Sequence, residues 1–126
     1  MSNDSKPNEI ILTPMQRGIS STTFTGRPQG MQLRETLKLD LIDLDDYKYI
    51  IRIPEGTTSF NPSFYLGLFF PSYKKLKGVE GFKNKYEIVS QEKDEELRLL
   101  LEKHLIECER QAQNEYAGRT GLDSIF

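Results

Sequence analysis

Few side chains in this chain have types and spacing suited to chemistry: one cysteine, one histidine, carboxylates at 40–46, lysines between 74 and 85, and hydroxyls at 57–63. Cys108 and His104 are four apart on an apolar helical stripe, and no further ligand accompanies them. Zinc is therefore not expected, and a lone thiol on such a face reads as core. His104 has the right type for a general base but no nucleophile beside it, and reads as a boundary residue. Asp45 and Asp46 are adjacent and lack the third carboxylate and the spacing of a calcium loop, so they read as solubilising loop charge. No metal and no cofactor is expected. Lys74, Lys75, Lys77, Lys83 and Lys85 are interrupted by Glu80, a pattern of solvated loop rather than phosphate grip. Arg27, between Gly26 and Gly30, is the best single anion contact. However, GRPQG lacks the spacing of either glycine-rich phosphate fingerprint, and a helix-capping arginine explains it equally.

The hydroxyl-rich stretch sits inside the segment that organises the chain, residues 47–73. Residues 47–53 are β-branched or aromatic at most positions and read as a buried strand. Pro54, Glu55 and Gly56 then reverse the chain. Asn61 is a good N-cap and Pro62 suits a first helical turn. The run from Phe64 to Phe70 has no polar face, so a helix there must be covered on more than one side. Pro71 is expected to end or kink that helix, with 72–77 continuing at an angle. Upstream, 9–12 and 18–25 read as strands that could form a hairpin. Pro28 opens a helix with Leu33, Leu37 and Leu41 inward and Arg34, Glu35 and Lys38 toward water, fraying at 38–41. Downstream, 77–81 reads as a loop and 85–89 as a strand with Tyr86 and Ile88 on one face. Ser90 is read as a helix start signal. A long helix over 92–116 carries Leu97, Leu101, Leu105, Cys108, Ala112 and Tyr116 in its stripe, widened by Leu100.

With 126 residues, 37% hydrophobic and 29% charged, the chain fits one domain with one core. The expected division is a flexible 1–8, a domain over 9–116 and a tail over 117–126. A net charge of −2 offers no footprint for nucleic acid. No apolar run approaches membrane-spanning length, and the first residues lack the apolar core of a signal peptide, so a cytoplasmic protein with no membrane partner is expected. The element order predicts an α/β fold, helices packed on a small mixed sheet.

That order, together with GRPQGMQLRETL, YIIRIPEGTTSFNPSFYLGLF and NKYEIVSQ, resembles the STAS-like domain family, a bacterial domain of unknown function related to the STAS domains of anti-sigma factor antagonists. The resemblance spans residues 26–110, and its most specific part is the helix start at Ser63 and Phe64. It implies a non-enzymatic regulatory module that binds a partner protein, for instance an ATPase of the histidine-kinase-like fold, through the 54–66 loop and helix start. In the antagonists that loop carries an Asp-Ser-Ser type sequence whose first serine is phosphorylated. Here Asn61 stands for the aspartate and Pro62 at the phosphorylated position. Thr57, Thr58, Ser59 and Ser63 are the hydroxyls that remain, and with Asn61 and an exposed Tyr65 they form the expected contact or phospho-acceptor set. The same hydroxyls serve equally to satisfy turn and helix-start amides. Two other readings stay open: a binder of a nucleotide or other anionic small ligand, and a homo-oligomer formed through the tail 122–126 or an edge strand.

Overall fold

The computed structural model describes residues 8–18 and 20–118, so expectations about 1–7 and 119–126 lie outside the described residues. Over the described residues the fold is α/β: small parallel sheets with six helices. Strands β1 (Asn8–Ile11), β3 (Tyr49–Ile53) and β5 (Tyr86–Ser90) form a three-stranded sheet in the order β1-β3-β5. Both pairings are parallel, where a mixed sheet is expected from the sequence. β2 (Thr23–Phe24) and β4 (Ser59–Phe60) make a separate parallel pair. Between and after these strands run α1 (Pro14–Arg17), α2 (Arg27–Leu37), α3 (Leu39–Ile42), α4 (Pro62–Leu76), α5 (Val79–Lys85) and α6 (Glu95–Ala117).

The hairpin between the first two strands is not formed. Thr13 and Gln16 close a capping box around the single turn of α1, and this turn sends β2 away to pair with β4 rather than back onto β1. The central strand is shorter than expected, five residues from Tyr49. α4 starts as read, with the Asn61 side chain accepting from the Ser63 amide and Pro62 in the first turn. It does not stop at Pro71. Phe70 and Tyr73 on either side are buried, and the helix runs to Leu76, where Lys77 turns left-handed at φ 67°. Packing thus outweighs the hydrogen bond that a proline removes. The expected loop at 77–81 is the start of α5, entered through Gly78 at φ 104°. The cap of α6 is Asp94, which accepts from Leu97; Ser90 instead ends β5, its hydroxyl accepting from the Glu92 amide.

α4 is the centre of the molecule, flanked by α2, α5 and α6. Its aromatic residues join two clusters. Phe24, Phe60 and Phe64 meet with ring centroids 4.8–5.4 Å apart. Tyr73 stacks on Phe82 at 4.7 Å, and Phe69 meets Phe82 edge-on at 5.0 Å. α2 reaches α4 through glycines: a Cβ on Gly30 would lie 2.3 Å from the Phe64 carbonyl oxygen, and one on Gly67 2.3 Å from that of Arg27. The two helices therefore touch backbone to backbone, and Gly30 belongs to a helix contact rather than to a turn.

Three polar residues read as solvent-facing are interior. Arg34 is buried at the α2–α4 contact, where its guanidinium donates to the Leu68 carbonyl at 2.9 Å, the Ser72 hydroxyl at 2.8 Å and the carboxylates of Asp40 and Asp43. Asp43 is fully enclosed and also accepts from Ser72 at 2.8 Å and Tyr86 at 2.5 Å. The acidic stretch is thus α3 plus an internal counter-ion, not only loop charge. Lys85 leaves the expected lysine patch: it is buried, donating to the carboxylate and carbonyl of Asp45 and to the Tyr47 carbonyl at 2.7–2.8 Å. Burial raises the Asp45 carboxyl, but hydrogen bonds from Lys85, Tyr49 and the Tyr47 amide outweigh it and hold the group below its ordinary range.

Candidate functional site

The turn after β3 and the start of α4 form a segment whose backbone is held at nearly every step. Pro54 is buried and Gly56 adopts φ 85°, a left-handed turn suited to glycine. The Thr58 amide donates to the Thr22 carbonyl and the Asn61 amide to that of Phe24, each at 2.8 Å, which extends the β2–β4 pairing in both directions.

Three side chains from distant parts of the chain complete the hold. Arg17, at the end of α1, donates to the Thr57 hydroxyl at 2.5 Å and to the Glu55 carbonyl at 3.1 Å. Glu92, just before α6, accepts from the Gly56 amide at 2.7 Å. His104, on α6, meets the Thr58 carbonyl through Nδ1 at 3.1 Å. Cys108 adds a contact from its thiol to the Phe60 carbonyl at 3.3 Å. Burial, then the nearby Glu107 charge, pushes that thiol up to about 12, so it stays protonated near neutral pH and serves as core.

Within this clamp the expected residues separate. Thr57 is fully buried, its hydroxyl taken by Arg17, and cannot meet a partner. Tyr65 is also buried, at 1% exposure, with its hydroxyl 2.9 Å from that of Tyr73, so its expected role as an exposed contact is withdrawn. Its position on the inner side of α4, among Phe69 and Phe82, is the cause. Thr58, Ser59 and Asn61 are half-buried, and Ser63 is exposed in the first turn of α4. Arg27 opens α2, and its side chain is turned to α6, 3.9 Å from the Glu115 carboxylate. Among the described residues no three of His, Cys, Asp and Glu come together as a metal site.

Sequence reasoning missed Arg17, Glu92 and the role of His104 because each acts across 36–46 residues of chain. Local spacing carries no signal for such pairs. The arrangement has no nucleophile with an adjacent base: the one histidine is engaged by a backbone carbonyl, and Ser63 lies on the outer surface. What it offers is a fixed shape, with hydroxyls and an exposed helix start whose dipole favours negative charge.

The Gly56 amide hydrogen bond, followed by that of the Asp94 amide, holds the Glu92 carboxyl below its ordinary value of 4.5. A depressed carboxyl contributes its stabilisation above the unfolded-state value and loses it as pH falls through the folded-state value. The Gly56 amide resonance is therefore expected to titrate with a midpoint below 4.5. Glu92→Gln should abolish that titration; a midpoint at or above the ordinary value would show that the clamp is not formed in solution.

No family model matches this chain, and neither the curated proteins nor the solved structures yielded a match.

Proposed function

We propose that this chain is a non-enzymatic, STAS-like regulatory module that recognises a partner protein through residues 54–63. The observation that carries this reading is the clamp. Three side chains from α1, the approach to α6, and α6 itself lock one short segment that reaches the surface. A preformed segment loses little conformational freedom on binding, which favours recognition. Ser63 is the exposed hydroxyl of its helix start, and a phosphate there would meet the positive end of the α4 dipole. Ser63 thus replaces Tyr65 as the centre of the proposed contact. A kinase of the histidine-kinase-like fold fits this reading as the partner that would modify it. A nucleotide or other anionic ligand is less favoured, since Arg27 faces Glu115 and the cleft between β5 and α6 is rimmed by Glu87, Glu102 and Glu109.

A photoreactive phenylalanine analogue placed at position 63, with exposed position 46 before the far end of β3 as control, tests this in cells of the native host. The expected result is one dominant protein adduct from 63 and none from 46. No adduct at 63, or the same adduct from both sites, would remove the proposal. Mass spectrometry of Ser59 and Ser63 in the same preparation reads the phosphate directly.

A further inference from the structure

A second surface lies away from the clamp, where β5 faces α6 across a cleft of about 410 Å³. Among the described residues β5 has one strand neighbour, β3, so its other edge presents amide and carbonyl groups without a ladder partner. The cleft wall is apolar through Ile88 of β5 and Leu105 and Ile106 of α6, and Ile106 is 65% exposed. Its rim is acidic: Glu87, Glu102 and Glu109 line it against one cation, Lys83, which lies 3.5 Å from Glu109.

We propose that this cleft receives an extended peptide of a partner protein that alternates lysine or arginine with branched apolar residues and adds as a strand to the free edge of β5. Each component of the cleft specifies one property of that occupant. The strand edge demands backbone donors and acceptors in extended form, which a helix cannot supply. The Ile88, Leu105 and Ile106 wall accepts every second side chain, Glu87 on the other face of β5 favours cations at the intervening positions, and Glu102 and Glu109 at the rim favour a basic peptide as a whole. A second copy of this chain is a poor occupant, because two-fold pairing of β5 edges would bring the acidic rims of both copies together. An anionic ligand is excluded by the same charges.

Panning a phage-displayed random peptide library on the full chain, followed by fluorescence polarisation with the enriched peptides, tests the proposal. Basic peptides alternating with valine or isoleucine should emerge. Their affinity should fall roughly tenfold on Glu87→Lys and weaken as salt rises. N-methylation of alternate peptide bonds should abolish binding, because it removes strand hydrogen bonds while leaving the charges. No enrichment, enrichment of non-basic peptides, or indifference to Glu87→Lys or to N-methylation would overturn the proposal. So would a dimer in light scattering that dissociates on Ile106→Asp, which would assign the cleft to a second copy. Binding seen only after Ile125→Asp and Phe126→Asp would assign it to the chain's own last residues and overturn it equally. Crosslinking at position 63 should be unaffected by Glu87→Lys, so failure here is distinguishable from failure of the proposed recognition segment.

Discussion

Gly30→Ala is expected to cost about 3 kcal/mol or more, a large fraction of a small domain's total stability. Alanine ordinarily stabilises a helix relative to glycine, by about 1 kcal/mol at an exposed interior site. Here the sign reverses, because the added methyl would lie 2.3 Å from the Phe64 carbonyl oxygen and 2.9 Å from the Leu68 amide nitrogen. Backbone atoms cannot rotate away as a flexible side chain can, so relief requires α2 and α4 to separate. That separation would open the buried contacts of Leu33 and Leu68 and pull Arg34 from the Leu68 carbonyl. Gly67→Ala should behave alike, since its methyl would meet the Arg27 carbonyl oxygen at the same 2.3 Å. Urea denaturation of the two variants checks this. A change within about 0.5 kcal/mol of the parent, typical of neutral surface sites, would show that the helices do not pack at this distance.

Asp43→Ala is expected to destabilise by about 3–5 kcal/mol, because removing one member of a buried ion pair leaves the other charged and uncompensated. Arg34 retains Asp40, whose side chain is 72% exposed and therefore well screened. Ser72 and the Tyr86 hydroxyl also lose their acceptor, each a further buried polar group to satisfy. Asp43→Asn should lie between parent and alanine variant, since an amide oxygen still accepts from Ser72 or Tyr86 without offering a counter-charge. The ordering parent, Asn, Ala in denaturation midpoint is the expected result. Equal midpoints for all three chains would mean that the network is solvated. This network joins α2, the end of α3, α4 and β5, so its loss should loosen the helix that carries Ser63.

Much of this architecture was legible in local pattern. The strand, the turn and the capped helix as far as residue 70 follow from β-branched residues, a proline–glycine turn and Asn61 before Pro62. The alternation of Tyr86 and Ile88 against Glu87 marks β5, and the inner positions of the α6 stripe, Leu101, Cys108 and Ala112, are buried. The misreadings share a cause. Residue type and sequence neighbours place Arg34, Asp43, Lys85 and Tyr65 wrongly, because their burial depends on partners far along the chain, Phe82 in the case of Tyr65. A charged side chain reads as solvent-facing unless its counter-charge is visible, and Asp43 lies nine residues from Arg34 on a separate helix end. Gly30 reads as punctuation for the same reason, because the backbone it touches is in α4. The clamp around 54–63 was half legible. Its hydroxyls and cap stand out in the sequence, but Arg17, Glu92 and His104 come from elements that only the fold brings together.

Recognition of a partner protein through residues 54–63 is tested most directly by hydrogen–deuterium exchange of the full chain, alone and with the purified partner captured at position 63. New protection is expected over 54–63 and the first turn of α4, weakened when Ser63→Glu alters that turn, with β1 unchanged. Protection absent from 54–63, or confined to the β5–α6 cleft, would contradict it.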